Sequence, residues 1–366
     1  MHDKNQTEKM LQAATLAALA LSTTSPTVRQ TPLVSSSAAA PATAVKLHFS
    51  DVGARVPTSQ PPILILHGLF GAGGNFGSWA TRLHEECTNS GSPRRIILAD
   101  LRNHGDSEQS SSMEFADMAA DVTRLLDEQG IERCVLCGHS IGGKVAMVRV
   151  YPSCLVFKGQ FPLLEVCCLR RPLFLLVLAT LQATALLHPE RIERLLVLDM
   201  APVAYAESEP QWDAIKSVVA AMRTVKVDLI SSKRDADQML ARTVSDAGLR
   251  AFVLMNLVRK PDSSGFRWRV NLDAIEESLP SLASWDVNGL AEPSADHSLG
   301  GYNGNTLFVG GGKSRFLRSS HMAAIQERFS RFSLSTIRTA DHWIHADEPE
   351  ALLLIAQNFL AFSEQA

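Results

Sequence analysis

The chain has 366 residues, with 35 Lys and Arg against 38 Asp and Glu, and it contains six cysteines. A chain of this length can bury a sizeable core, as one large domain or as two ordinary ones. The near-neutral charge, with no long run of one sign, argues against nucleic acid or an anionic membrane surface as a partner and favours a small-molecule substrate. So few cysteines in so long a chain do not predict a disulfide framework, and they fit a reducing compartment.

The N-terminal stretch differs in composition from the rest of the chain. No acidic residue occurs between Glu8 and Asp51, and Ser, Thr, Ala and Pro dominate TTSPTVRQTPLVSSSAAAPATA. We predict that residues 1–44 form a disordered leader or an organelle transit peptide, the alternative being an ordinary dispensable tail with a single arginine, Arg29. The apolar run LQAATLAALAL is too short to span a membrane.

From residue 45 onwards, short apolar runs alternate with helical patterns, which is typical of a mostly parallel sheet covered by helices on both faces. The predicted strands are 44–49, 61–68, 94–100, 134–138, 194–200, 305–311 and 332–339. The segment FADMAADVTRLLDEQG has apolar positions at helical spacing and ends at Gly130, a helix stop signal.

Residues 206–290 show no comparable strand runs and predict several helices, among them QWDAIKSVVAAM and AGLRAFVLMNLV. We therefore predict an α/β core in two parts, 45–205 and 291–366, which is interrupted by a small helical cap at 206–290.

The pentapeptide Gly138-His139-Ser140-Ile141-Gly142 lies between an apolar strand and a small-residue helix. This is the context of a nucleophile elbow, in which glycines permit a backbone tight enough to expose the serine hydroxyl. The helix behind the serine also directs free N–H groups toward developing negative charge. We predict Ser140 as a nucleophile.

A serine nucleophile needs a general base and an oxyanion site. His342 lies between the last predicted strand and the last predicted helix, on the side of the sheet where Ser140 emerges, and His345 is the competing base. For the oxyanion site we predict the N–H groups of Ile141 and of Leu69, with Phe70 as the next candidate after Leu69.

The acid that orients the base has two candidates. The turn Gly312-Lys313-Ser314, which follows a predicted strand, offers no carboxylate. Asp199 ends the strand after the elbow helix and would lie beside Ser140, whereas Asp273 lies where the chain leaves the predicted cap. Geometry favours Asp199, and Asp273 stays open as the alternative.

Three other features carry weaker signals. The loop Arg102–Ser107 predicts a turn fixed by bonds from side chains to the backbone. Cys134 and Cys137 have the spacing of metal ligands but lack a second pair, so we predict buried thiols and neither a metal site nor an organic cofactor. The alternation of apolar and polar residues over 266–271 predicts a segment that pins the cap to the core.

At this point the motifs resemble a known family. HGLFGAGGNF, ADLRNHGDSEQS, GHSIGGKVAM, HPERIERLLVLDMAPV, FRWRVNLDAI and DHWIHADEP are similar to the α/β-hydrolase subgroup that holds the bacterial YbfF-type esterases and the mitochondrial α/β-hydrolase-domain protein eleven. The resemblance covers nearly all of residues 45–366. It implies an α/β-hydrolase fold with a small helical cap, and a serine esterase or thioesterase acting on acyl esters or acyl-CoA-like thioesters.

The resemblance assigns the nucleophile to Ser140 and the base to His342. It supports both acids, Asp199 within LDMAP and Asp273 within VNLDA, and Asp341 departs from the glycine that the family usually has before the histidine. It also implies a mitochondrial location, with another organelle or the cytoplasm as alternatives, and association with a mitochondrial enzyme complex.

Residues 149–184 interrupt the family pattern, because KVAMV followed directly by ALLHPERI would read as one helix and its stop. We interpret this stretch as an insertion, with an unspliced intron as its origin. A membrane hairpin is the rival interpretation, but Arg170 and Arg171 leave only about sixteen apolar-leaning residues beyond them, fewer than the ~20 of a span.

The sequence thus predicts a serine hydrolase that cleaves an acyl ester or thioester. An acyltransferase is the neighbouring enzymatic alternative, and a non-catalytic scaffold or binding protein, disabled by the insertion, is the alternative from another class.

Overall fold

A seven-stranded sheet organises the protein, in a computed structural model that describes residues 44–53, 58–150, 189–205, 209–261, 265–284 and 302–361. Its order is β1-β3-β2-β4-β5-β8-β9, with β1 antiparallel to β3 and every other pair parallel. The strands are β1 Phe49–Val52, β2 Ile63–Leu66, β3 Ile96–Ala99, β4 Cys134–His139, β5 Ile192–Leu198, β6 Leu257–Arg259, β7 Phe266–Trp268, β8 Asn305–Gly311 and β9 Phe332–Ile337. This confirms the predicted mostly parallel sheet.

The central strands are buried on both faces, as their continuous apolar sequences predict. Alternate residues of one strand enter different cores: Leu64 and Leu66 belong to one buried cluster, whereas Ile63 and Ile65 belong to the other. This is the two-residue period of a pleated strand. The strands therefore separate two layers of helices and present their carboxyl ends at one edge.

The helices are α1 Gly77–Asn89, α2 Phe115–Glu128, α3 Ile141–Val150, α4 Pro210–Thr224, α5 Lys233–Leu240, α6 Ala247–Leu254, α7 Leu272–Ala283, α8 Met322–Arg328, α9 Ile344–Asp347 and α10 Pro349–Ala361. Helix α2 ends just before Gly130, which adopts a φ of 62° as a stop signal requires. Helices α4 to α7 lie between β5 and β8 in the chain, together with the antiparallel pair β6–β7.

Two predicted elements differ from the structure. The first strand begins at Phe49 rather than at residue 44, because the N–H groups of Val45 and Lys46 donate to the side chains of Asp121 and Glu108 instead of to a neighbouring strand. The helix predicted over AGLRAFVLMNLV ends at Leu254, and its last residues enter β6. Strands of three residues are too short to show a period in the sequence.

Two predictions lie outside the described residues: residues 1–43 of the leader, and the insertion from residue 151 onwards. Within the described ranges, none of the helices has the length and apolarity needed to cross a membrane.

A buried ion pair fixes the loop after β3. The guanidinium of Arg102 donates from Nε to Oδ2 of Asp121 at 2.7 Å and from Nη2 to Oδ1 at 2.8 Å. Both residues are 1% exposed. The next residue, Asn103, adopts a φ of 64°, and its Oδ1 accepts from Ser110 N–H. The predicted turn is thus held by side chains, and it is anchored to α2.

We predict that Arg102→Met lowers the free energy of unfolding by about 3–5 kcal/mol, because it leaves a buried carboxylate without its partner. Urea denaturation measures this. The double variant Arg102→Met with Asp121→Leu should recover part of the loss, and Glu128→Ala, which removes the exposed pair with Arg124, should leave the midpoint nearly unchanged. Equal losses for Arg102→Met and Glu128→Ala would contradict the assignment.

Candidate active site

Ser140 stands at a sharp turn between β4 and α3. Its φ is 54°, a left-handed conformation that costs a non-glycine residue energy and persists only where the surroundings enforce it. The turn needs both flanking glycines. A Cβ on Gly138 would lie 2.2 Å from the carbonyl oxygen of Gly142, and one on Gly142 would lie 2.5 Å from that of His67. The side chain of Ser140 therefore leaves the sheet at its carboxyl edge.

Three of the predicted residues form one hydrogen-bonded chain. Nε2 of His342 lies 3.0 Å from Oγ of Ser140, and Nδ1 lies 2.7 Å from Oδ2 of Asp199. A carboxylate only accepts hydrogen bonds, so Nδ1 carries the imidazole proton and Nε2 accepts from the serine hydroxyl. Asp199 is fully buried, whereas the His342 side chain is 23% exposed. The arrangement can withdraw a proton from Ser140 and hold the resulting imidazolium beside a carboxylate.

Asp199 is fixed from several directions. It follows β5 with a φ of 50°, its Oδ1 accepts from Gly311 N–H at 3.0 Å, and its Oδ2 accepts from the Ser314 hydroxyl. The turn after β8 provides no carboxylate, but the last residue of β8 and this turn provide the two donors. Asp273, the alternative acid, lies elsewhere: it is in the first turn of α7, its side chain is 79% exposed, and it pairs with Arg223. The structure brings Asp199, and not Asp273, to His342.

The loop that carries His342 is held by its neighbours. Nε2 of His139 donates to the carbonyl oxygen of His342 at 2.8 Å, and His342 N–H donates to Oδ1 of Asp341 at 2.8 Å. The ring of Phe316 packs 4.3 Å from that of His342. Asp341 therefore takes a local role that glycine could not, since its carboxylate restrains the backbone of the next residue.

His345, the competing base, is half-buried, and the Ser140 hydroxyl bonds to His342 instead. Its ring stacks on Phe76 at 4.0 Å, and its Nδ1 has no hydrogen-bond partner among the described residues. Burial lowers the pKa of His345 to about 4, with the charge of nearby His342 acting in the same direction. The residue packs as a neutral aromatic ring.

The loop after β2 passes beside the serine. A Cβ on Gly68 would lie 3.0 Å from Cβ of Ser140. The N–H of Phe70 donates to Nε2 of His104 at 3.1 Å, whereas none of the backbone hydrogen bonds of the described loops uses the N–H of Leu69. Of the two N–H groups predicted for this loop, that of Phe70 is already engaged.

Lys144, the fourth residue of α3, is fully buried. Its Nζ donates to the carbonyl oxygens of Leu282, Ala283 and Ser284 at 2.9–3.2 Å and lies 4.9 Å from the ring centre of Tyr205. Burial lowers the pKa of Lys144 to about 7, while the three acceptors and the ring favour the ammonium form. The lysine ties the helix behind Ser140 to the carboxyl end of α7.

The side chains of Cys134 and Cys137 are buried within β4. A second group of possible metal ligands, in His48, Asp100 and Asp106, has its donor atoms within 4.8 Å of one another. Asp100 already accepts from two backbone N–H groups, and Nη2 of Arg269 lies 2.7 Å from Asp106. The carboxylate of Asp100 thus holds the turn, and that of Asp106 pairs with the residue after β7.

Sequence reasoning missed three residues that shape the site: His139, Lys144 and Ser314. A signal existed for Lys144, because a lysine inside an otherwise apolar helix needs partners when the helix is buried. No local signal exists for the other two, because the partners of His139 and Ser314 are distant in the sequence and come close only when the sheet forms.

Comparison with known proteins agrees with this architecture. The model of the alpha/beta hydrolase family matches residues 63–353. The chain is 32% identical over 305 residues to sn-1-specific diacylglycerol lipase ABHD11 of Mus musculus, which covers 82% of this chain and 81% of that protein. It is 25% identical over 316 residues to esterase YbfF of Escherichia coli strain K12, which covers 86% and 99%. A solved marine microorganism esterase has a TM-score of 0.68 at 26% identity, over 86% of this chain and 100% of that chain.

We predict that acid destabilises the protein through its buried histidines. Burial lowers the pKa of His104 to about 3 and that of His345 to about 4, from 6.5 in the unfolded chain. The contribution of these neutral histidines to the free energy of unfolding is complete above pH 6.5. It is lost as the pH falls toward the folded-state pKa values, because only the unfolded chain then binds the protons. Urea denaturation between about pH 7 and pH 5 measures the slope.

His345→Phe is the matched variant, since phenylalanine preserves the stack on Phe76. This substitution should reduce the slope of the unfolding free energy against pH by up to about 1.4 kcal/mol per pH unit, the value for one proton. Identical slopes for the two proteins would refute the contribution of His345.

Proposed function

The chain belongs to the alpha/beta hydrolase family, and on that premise we propose that it is a serine hydrolase of acyl esters. The observation that carries the proposal is the hydrogen-bonded chain from Ser140 through His342 to Asp199. A structural protein has no physical need to hold a serine in a strained backbone and to place a base with a buried acid against its hydroxyl.

In the proposed reaction, Oγ of Ser140 attacks the ester carbonyl carbon while Nε2 of His342 takes the hydroxyl proton. The tetrahedral intermediate collapses, and His342 returns the proton to the leaving alcohol oxygen. Water then attacks the acyl-enzyme with His342 again as base, which releases the acid and restores Ser140. Asp199 keeps the imidazole in the required tautomer and stabilises the imidazolium.

The oxyanion is assigned to the N–H groups of Ile141 and Leu69. Ile141 begins α3, where N–H groups have no partner within the helix. Leu69 follows Gly68, whose backbone runs beside Ser140, and the N–H of Phe70 is engaged by His104. These observations favour Leu69 over Phe70.

The substrate is proposed to be an ester with an apolar acyl group. Aromatic side chains lie along the histidine loop: Phe316 packs on the His342 ring, and Trp343, the next residue, packs on Phe252 with ring centres 5.2 Å apart. The mouse relative is named a diacylglycerol lipase and the bacterial relative an esterase. An acyl thioester is the related substrate class, because the same attack applies with a thiol as leaving group. Residues 206–290 are proposed to act as the cap above this site.

We expect a fluorophosphonate probe to label the purified protein at Ser140 and to leave Ser140→Ala unlabelled, because the probe reacts only with an activated serine. Hydrolysis of p-nitrophenyl butyrate should fall by at least about 10³-fold in Ser140→Ala. Circular dichroism controls for folding. A folded wild-type protein that is neither labelled nor active would favour the scaffold alternative. Release of an acyl ester, rather than the acid, in the presence of an added alcohol would favour the acyltransferase alternative.

The two candidate acids are separated by a pair of isosteric substitutions. Asp199→Asn should lower kcat by about 10³- to 10⁴-fold, because an amide cannot favour the required tautomer or stabilise the imidazolium. Asp273→Asn should change kcat by less than about twofold, since its only cost is an exposed ion pair with Arg223. The steady-state rate on p-nitrophenyl butyrate measures both. The opposite ranking would assign the acid to Asp273.

A further inference from the structure

The carboxyl end of α6 and the residues that follow it contact both loops that flank Ser140. Within α6, Phe252 packs against Trp343, the residue after His342. Between α6 and β6, Nδ2 of Asn256 donates to the carbonyl oxygen of Phe70 at 2.8 Å. The short segment from Phe252 to Asn256 thus reaches the histidine loop and the loop after β2.

The Phe70 residue is held at both of its backbone polar groups. Its N–H donates to Nε2 of His104, and its carbonyl oxygen accepts from Asn256. His104 is itself fixed, because its Nδ1 donates to the carbonyl oxygen of Arg102 at 2.9 Å. The φ of Phe70 is 60°, a left-handed conformation that a bulky residue keeps only where external bonds enforce it.

Asn256 is well placed to enforce this conformation. It is 4% exposed, and its own carbonyl oxygen accepts from Arg269 N–H at 2.7 Å. Arg269 follows β7 and pairs with Asp106 on the core. The amide is therefore held by the β6–β7 pair and not by flexible chain, so its hydrogen bond restrains Phe70 at little additional entropic cost.

The geometry points to Asn256 as a positioning residue that holds the loop after β2, which carries the proposed oxyanion donor Leu69. Stabilisation of the tetrahedral intermediate then depends on how the segment after α6 packs on this loop. This inference rests on the proposed function. Phe70 follows Leu69 directly, so a rotation of the Phe70 backbone moves the Leu69 N–H that is assigned to the oxyanion. Asn256 touches neither substrate nor reacting atoms, and it acts through the Phe70 carbonyl.

A residue of this kind affects the transition state more than the ground state. The oxyanion donor strengthens its hydrogen bond as charge develops on the carbonyl oxygen, whereas the bound ester makes little use of it. Loss of the Asn256 amide should therefore lower kcat and leave KM nearly constant. General loosening of the protein would lower kcat in proportion to the loss of thermal stability.

The test compares Asn256→Leu with Asn271→Asp. Leucine keeps the volume of Asn256 and removes the donor. Nδ2 of Asn271 makes different contacts of the α4–α7 segment with the core, to Ser110 O at 3.2 Å and to Oδ1 of Asn103 at 3.3 Å, and aspartate there removes that donor while keeping the oxygen that caps α7. Asn256→Ala serves as the second variant if leucine does not fit. Steady-state kinetics on p-nitrophenyl butyrate, fluorophosphonate labelling rates and Tm are measured for all of them.

We expect Asn256→Leu to lower kcat by about 10- to 100-fold with KM within about twofold, less than the loss of a complete oxyanion donor, and to slow labelling in parallel. Asn271→Asp should keep kcat within about threefold at a comparable loss of Tm. Unchanged kcat in Asn256→Leu and Asn256→Ala would overturn the inference while leaving the proposed function intact, as would equal losses of kcat in Asn256→Leu and Asn271→Asp. A wild-type protein that neither reacts with the probe nor hydrolyses the ester would overturn both.

Discussion

The parallel pairing of β4 with β5 is the constraint on which the site depends. His139 lies opposite Leu198 in this register, so Ser140 and Asp199 leave the sheet at the same level of adjacent strands. Each is still tied to the ladder, because Ser140 N–H donates to Leu198 O and Asp199 N–H to Val309 O. Each then turns through a left-handed conformation that directs the next residues away from the sheet. A slip of one residue would send the two side chains to opposite faces.

The ladder places Ser140 and Asp199, but it does not place His342. His342 follows β9 at the far edge of the sheet, two strands away from β5. Side chains bridge that distance: His139 donates to the His342 carbonyl, and the imidazole itself reaches Asp199. His139, which lies between Gly138 and Ser140, thus helps to hold the loop that carries His342. Polar groups in a buried site need hydrogen-bond partners. Here the partners are other residues of the same site, so His139, Asp199 and His342 restrain one another.

The sequence predicted those parts of the site that local pattern determines. Short runs of residues predict the strand and helix around Ser140 and the mostly parallel sheet. They also predict that His342 follows the last strand. The acid could not be chosen in the same way, because LDMAP and VNLDA both offer an aspartate at an element boundary. The register of β5 on β4 places Asp199 beside Ser140, whereas Asp273 lies in the first turn of α7 with its side chain exposed and paired with Arg223.

Long-range side-chain contacts account for what the sequence could not predict. Asn256 and Phe70 are 186 positions apart, and Lys144 and Leu282 are 138 positions apart. Neither pair has a spacing or a motif that would connect its members, and β6 and β7, the three-residue strands next to Asn256, are too short to show alternation. The left-handed φ of Phe70 was equally hidden, since nothing in HGLFG marks a bulky residue for that conformation.

These contacts also bear on whether an interrupted elbow helix can hold Ser140. The restraints on the serine come from Gly138, Gly142 and the ladder bond to Leu198. The helix behind it is anchored by Lys144, whose acceptors lie at the end of α7. All of these residues lie outside 151–188, so the attack geometry of Ser140 is specified by β4, by the first turn of α3 and by α7. The predicted insertion at 149–184 therefore does not by itself remove any restraint described for Ser140.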